Sequence, residues 1–427
     1  MVDFDTPQVP ANGPLCVLNE TDDWTGAAER LYYNGAYHLR KCFRIPLGCL
    51  HFNLENGRYH TKFLLLKETN PTVNIDPTDQ RWHNEIIKLL NGTWEDSLTG
   101  VNTRADRAHF EQLVDDIRNR YQERPGIVLE TGGVMSGNRR LAALITLASE
   151  RNDPRFDKFE AFIVPGHMDA ADRWRLEMSA QVGQGRLLKE YDPVERLLKM
   201  REGMRVFLEK NPQGGEAAAL RAVATEFGAS TDLVQQDLSS LQSIEEWLNA
   251  TGHPRQWWRA NNLTEVFTEM PPLEEAFQRN ETPYLERAKV KSAVFQLINT
   301  KQADYRMIRQ IRNAVGPRKR RGKMNQGVPS AIEILVESAP NAEELRRDPT
   351  DEIVQRMEET AQQFSAEVEA KKEQITPLVK AKTAESNLES LVEILGSGYD
   401  PGENKKALKK SLGRVKSLAS DGLGLLE

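Results

Sequence analysis

Five consecutive residues, Ser136-Gly137-Asn138-Arg139-Arg140, carry the groups that phosphate binding asks for. They follow a short apolar segment, Val134-Met135, that reads as a strand, and precede residues 141–148, which read as an apolar helix. A helix N-terminus leaves several backbone N–H groups without an intrahelical acceptor and carries partial positive charge. Gly137 lets a ligand approach the backbone closely. Two arginines in the first turn oppose the helix dipole. A bound anion relieves that conflict, and phosphate suits both the amides and a guanidinium fork. The same residues also fit a surface turn whose arginines pair with Asp or Glu elsewhere.

Two other constellations point to nucleic acid. Ala224, Gly228 and Val234 have the spacing of a helix-turn-helix, in which a small residue and a turn glycine let two helices cross. Ser230 stands where it would cap the second helix. Thr231, Gln235 and Gln236 are that helix's candidate DNA contacts, the glutamines being able to read adenine. Its start carries Asp232 and Asp237 and no Lys or Arg, which is poor for phosphate contact and also fits an ordinary helical hairpin. The second constellation is residues 301–323, with nine Lys or Arg against one acid, Asp304. Arg306, Arg309 and Arg312 lie on a helical segment before Gly316-Pro317; Arg318, Lys319, Arg320 and Arg321 follow it. In a chain of formal net charge −6 this is the strongest local basic candidate for a DNA backbone contact, and Tyr305 within it offers a ring for stacking. A solvated linker is the plainer alternative.

The elements that must position these groups change character along the 427 residues. Residues 1–40, rich in Pro, Gly and Asn, read as an irregular arm with room for one helix. Residues 41–182 alternate helices and short strands: strands at 43–47, 125–130 and 159–164, helices at 81–91, 107–121 and 169–181. Beyond about residue 185 helical spacing, caps and breakers dominate and no strand is expected. Residues 183–260 hold the helix-turn-helix, 261–315 a helical basic region, 316–330 a Gly/Pro-punctuated basic linker, and 331–427 a helical C-terminal region. There Val354, Met357, Ala361, Phe364, Val368, Ile375 and Leu378 follow a/d heptad positions, with Lys371 breaking one. Thr376-Pro377 reads as the start of a new helix, and residues 405–418 as a basic amphipathic one. A bundle or homodimer contact through these helices is expected. The fold class is α+β.

Cys16, Cys42 and Cys49 show no metal-type spacing, and the seven histidines are scattered, so no structural metal site is expected. The odd cysteine count, the lack of a signal-peptide pattern at the start and the absence of a long apolar run read as a cytoplasmic protein with no membrane partner.

Residues 110–144 (FEQLVDDIRNRYQERPGIVLETGGVMSGNRRLAAL) resemble the ParB/sulfiredoxin family, in which a helix leads to a strand beginning after Pro, a hairpin, a Gly-x-Arg-Arg-type turn and an Ala-rich helix. Ile45-Pro46-Leu47, with the segment from Phe52 to Tyr59, is similar to the family's opening strand and its N-x-R segment. Residues 178–197 (MSAQVGQGRLLKEYDPVERL) resemble the family's Glu-Asn-x-x-Arg box and the helix start after it. The likeness spans about residues 43–245. It implies a ParB-like N-terminal domain in which Ser136, Gly137, Asn138, Arg139 and Arg140 cradle CTP or another nucleoside triphosphate, with Arg58 approaching the same pocket. Gln181 and Gln184 stand where the family often has Glu and Asn that hold phosphate and magnesium. Ser136 stands where nuclease-like relatives often have Asp. These departures favour binding over hydrolysis or DNA cleavage. Glu130, Glu177 and Glu190 are the carboxylates within reach by sequence. The resemblance thus implies a nucleotide-binding, DNA-associated protein of a plasmid-partition, phage or antiviral-defence setting; a metal-dependent nuclease and a non-enzymatic protein adaptor are the alternatives.

Overall fold

The computed structural model describes residues 23–54, 59–69, 80–96, 103–151, 153–182, 192–320, 323–397 and 405–424. Strands β1 (Trp24–Tyr33) and β2 (Ala36–Pro46) form an antiparallel ribbon. Asn34 and Gly35, at φ 51° and 77°, close it in the two-residue turn that matches strand twist. These two strands occupy most of residues 24–40, where the composition suggested an irregular arm. Short β3 (His51–Phe52) leads into α1 (His60–Thr69), α2 (Gln80–Asn91) and α3 (Arg104–Arg120). Then come β4 (Gly126–Leu129), β5 (Gly133–Ser136), α4 (Asn138–Arg151), β6 (Lys158–Val164) and α5 (Ala170–Val182).

The six strands make one mixed sheet, ordered β1-β2-β6-β4-β5-β3. β4 runs parallel to β6 and β3 parallel to β5; the other neighbours are antiparallel. Strand alternation sends Phe43, Ile45, Val128, Val134, Phe159, Ala161 and Ile163 into a core shared with α1 to α4. Leu31, Cys42, Ile127, Met135, Phe162 and Val164 face the other way, against α5. Both faces are therefore covered over the middle of the sheet, and the apolar runs of β4 to β6 read accordingly.

The rest is mostly helical: α6 (Pro193–Lys210), α7 (Gly215–Phe227), α8 (Thr231–Ala250), α9 (Thr264–Phe267), α10 (Met270–Arg279), α11 (Tyr284–Asn299) and α12 (Tyr305–Ala314). A hairpin of β7 (Pro317–Arg320) and β8 (Lys323–Gln326) follows. It overturns the expectation of no strand past residue 185 and lies within the segment read as a basic linker. Val328 N bonds Ala314 O at 2.8 Å, so the hairpin closes on the end of α12. Last come α13 (Pro329–Glu337), α14 (Ala342–Leu345), α15 (Asp351–Gly396) and α16 (Lys405–Gly424). No helix among the described residues is long and apolar enough to cross a membrane.

Trp174 on α5 packs with Met200, Met204 and Phe207 of α6 and with Val223 of α7, so α5 serves the sheet and the helical region together. A Cβ at Gly203 would meet the Trp174 ring at 2.5 Å, which is why α6 carries glycine there. Trp257 and Trp258 are both buried, one in the helical core and the other in the sheet's core. They are packing residues, as their apolar bulk suggests.

Part of the heptad stripe serves as the bundle contact that its spacing allows. Met357, Phe364 and Val368 are buried against α11, α12 and α13 of the same chain, so this part of the stripe is consumed internally. α15 also runs unbroken through Pro377, where Thr376-Pro377 was expected to start a new helix. A proline removes one ladder N–H and crowds the turn before it, but the 46-residue helix spans that defect.

Candidate functional site

β5 ends at Ser136, which is buried and pairs with Ile127 of β4. Gly137 then turns the chain at φ 105° into α4. A side chain would be strained at that φ, and its Cβ would lie 2.8 Å from Phe159 Cζ. The first i to i−4 bond is from Leu141 N to Gly137 O, 2.9 Å, so the amides of residues 138–140 have no acceptor within the helix ladder.

The three side chains that follow have three different roles. Asn138 is 3 % exposed and works as a clamp: Oδ1 accepts from Asn53 N at 3.1 Å, and Nδ2 donates to Val134 O at 2.9 Å. It fixes the exit of β3 against the start of α4. Arg140 turns back over the sheet, donating from Nη1 to Arg124 O and to Pro125 O at 3.1 Å. It braces the loop that enters β4. Arg139 is the exception. Its Nη2 is buried without a hydrogen-bond partner among the described residues, and burial lowers the guanidinium pKa from its ordinary value. A buried donor left in that condition costs roughly 1–3 kcal/mol, more when charged. An anion at the start of α4 would remove that cost.

Asn53 joins this turn to a buried polar cluster. Tyr59, 1 % exposed, donates its hydroxyl to Asn53 O. Burial, then the charge of Glu177, raises the Tyr59 pKa well above its usual value. Glu177 on α5 pairs with Lys199 Nζ of α6 at 3.2 Å, and Glu202 completes the pair at 2.8 Å. Burial opposes the Lys199 charge, but the two carboxylates outweigh it and raise its pKa. At the start of α6, Asp192 and Asp106 flank Lys62 at 3.5 and 3.1 Å. Glu195 beside them accepts from Thr61 N, and burial pushes its carboxyl up to about 8. Sequence reasoning missed Asn53, Tyr59, Lys62, Asp106, Glu195 and Lys199. Asp192-x-x-Glu195 has the form of a capping box, yet both side chains are used across to α1 rather than on their own helix.

Of the carboxylates singled out by sequence, Glu177 is ion-paired, Glu130 Oε2 accepts from Gly166 N at 3.3 Å, and Glu190 lies outside the described residues. Arg58, Gln184 and Arg321 also lie outside them, and Gln181 is placed on α5 by its backbone alone. Among the described residues no three His, Cys, Asp or Glu gather to hold a metal ion.

The two nucleic-acid candidates are also built. α7 ends at Gly228, left-handed at φ 60°, and Ser230 accepts from Leu233 N at 3.2 Å to start α8. Ala224 and Val234 are buried where the helices cross. Gln235 and Gln236 are exposed and Thr231 half-buried. Asp237 faces Arg196 at 3.4 Å. On α12, Arg312 Nη1 donates to Glu269 Oε2 at 2.7 Å and Arg309 Nε to Glu269 Oε1 at 3.0 Å. These two arginines hold α12 to the start of α10. Arg306 is exposed, with Nε 3.1 Å from the Tyr305 hydroxyl. Arg318, Lys319 and Arg320 sit on β7, Arg318 opposite Asn325, Lys319 opposite Met324 and Arg320 opposite Lys323.

The chain matches no family model, no curated protein and no solved structure.

Proposed function

We propose that this protein binds a nucleoside triphosphate, CTP or a relative of it, at the start of α4, and that it works in association with DNA in the manner of ParB-like proteins. The observation that carries the reading is Arg139: a buried guanidinium nitrogen with no hydrogen-bond partner, at a helix N-terminus whose first amides lack intrahelical acceptors. Gly137 keeps that entrance free of a side chain, and Asn138 and Arg140 hold it in shape through backbone carbonyls and amides. The triphosphate would bring the counter-charge that Arg139 lacks. Magnesium enters as the nucleotide's own counter-ion, because Glu177 is already matched to Lys199 and Gln181 has no charge to offer. DNA would be met by the exposed Gln235 and Gln236 of α8, by Arg306, and by the basic β7–β8 hairpin.

Calorimetric titration with CTP, ATP and GTP, with magnesium and with and without duplex DNA, tests this directly. Heat with at least one nucleotide, lost in Arg139→Met, supports it. Flat heats for all three, DNA present, overturn it and leave a protein adaptor as the better account.

A further inference from the structure

The β1–β2 ribbon has two unlike faces. On one, Leu31 and Tyr33 are buried, Tyr33 stacks on His38 at 4.3 Å, and Glu29 stands opposite Arg40. The other face carries Arg30 and Tyr32 from β1 and Tyr37, Leu39 and Lys41 from β2, with Trp24 opposite Phe43. It continues the side of the sheet on which Phe43 and Ile45 are buried beneath the helices. Beyond Phe43 that cover ends. Exposure rises from 3 % at Phe43 to 68 % at Leu39 and 71 % at Tyr37, two and three alternations along the same strand face. Tyr32 is 38 % and Trp24 49 % exposed, and Arg30 and Lys41 are exposed as well.

The groups on this face are aromatic or cationic apart from Leu39 and the small Ala28. Among the described residues of the ribbon, the acid Glu29 is on the opposite face, across from Arg40. Tyr32 and Tyr37 meet edge to face at 5.1 Å, directly across the ribbon. Lys41 Nζ lies 5.5 Å from the centre of the Trp24 ring. By register the two aromatic stations, at Tyr37 and at the Phe43 position opposite Trp24, are separated by six residues of β2, about 20 Å of extended strand. That is roughly the rise of six stacked bases, with Arg30 placed between the stations. Rings presented on an open strand face, interleaved with cations and free of carboxylates, are what sequence-tolerant binding of single strands uses.

The geometry points to this face as a binding surface for single-stranded nucleic acid, with bases stacked on Tyr32, Tyr37 and Trp24 and phosphates met by Arg30 and Lys41. It goes beyond the nucleotide-binding reading and does not depend on it. In the strand order β1 is four places from β5, about 19 Å across the sheet from the strand that feeds α4.

The test is fluorescence anisotropy of a labelled oligothymidine against the full chain at low salt, with a duplex of the same length alongside. Wild type is expected to bind the single strand. Tyr37→Ala and Tyr32→Ala should each weaken it about tenfold. Tyr37→Phe, which keeps the ring, should not. Arg30→Ala combined with Lys41→Ala should weaken binding and flatten its salt dependence. Arg139→Met should leave it unchanged, so a flat nucleotide titration would overturn the pocket without touching this surface. No binding by wild type overturns the proposal, as does equal affinity for Tyr37→Ala and wild type with circular dichroism showing both folded. Losing the duplex and the single strand in equal measure through Tyr37→Ala would overturn it too.

Discussion

The start of α4 and the face of α12 look alike in sequence, each a helix studded with arginines, and the fold treats them in opposite ways. On α12 two of the cations meet a carboxylate: Glu269, itself buried, takes both Arg309 and Arg312, although Arg312 Nε has no hydrogen-bond partner among the described residues. At α4, Arg140 is answered by backbone carbonyls, and Arg139 keeps a buried Nη2 with none. Counting positive charge along a chain ranks the α12 stretch first. Asking which cation is buried without a partner ranks α4 first, because desolvation makes the missing partner costly only where water is excluded.

The comparison breaks first at Glu269. Glu269→Ala leaves Arg312, whose side chain is only 11 % exposed, without the carboxylate that answers it. The loss should be about 3 kcal/mol of stability, seen as a lower denaturant midpoint at unchanged slope. If stability holds, these arginines are not structural, and the α12 face returns as the leading phosphate site.

The buried cluster beside Tyr59 offers a second break, through pH. Glu195 has a folded pKa of about 8 against an ordinary 4.5, so the folded state prefers the protonated form. Its contribution is fully present below about pH 4.5 and is lost as pH rises toward 8. Asp192, Lys62 and Lys199 are the charged groups gathered around it. Glu195→Gln keeps an acceptor for Thr61 N and cannot ionise. It should therefore gain on wild type by up to a few kcal/mol above pH 8 and match it near pH 4.5. Parallel stability curves for the two proteins between those limits would show that this carboxyl does not titrate in the window.

Arg139→Met separates the two regions most cleanly. Removing a cation whose buried Nη2 has no partner among the described residues should leave the ligand-free protein as stable as before or slightly more so. Nucleotide affinity should fall ten- to a hundredfold, the usual worth of a charge-assisted contact. A drop in stability without nucleotide would mean that Arg139 is already satisfied in the folded protein.

Much of the sheet's centre was legible. β4, β5, β6 and α4 are short apolar runs punctuated by glycine, and they fall where the pattern puts them. The edge was not. β1 buries only two of its ten residues, so it lacks the alternation by which a half-buried strand announces itself. β7 and β8 are hidden by a composition that reads as solvated linker. The turn from Ser136 to Arg140 was legible as a glycine turn between a strand and a helix, but the separate roles of its arginines were not. Asn53 and Asn138 are 85 residues apart, Thr61 and Glu195 134, and Glu269 and Arg309 40. Local spacing carries no trace of such pairings, which only the closed tertiary structure creates.

The smallest expected effect sharpens what is left of α12. Arg306 is exposed, its guanidinium held over the Tyr305 ring at 5.6 Å, and it takes no part in the Glu269 pair. If this face meets a DNA backbone, Arg306 is the residue positioned to do it without first giving up a structural contact. Arg306→Ala should then leave stability unchanged, weaken duplex binding evenly across sequences, and lower the slope of log affinity against log salt by about 1. Arg312→Ala is the contrasting variant, because it should lower stability through Glu269 whatever it does to DNA. An Arg306 variant that binds duplex with the wild-type salt slope would reduce α12 to a packing helix. The exposed glutamines of α8 and the β7–β8 hairpin would then be the remaining surfaces for duplex DNA.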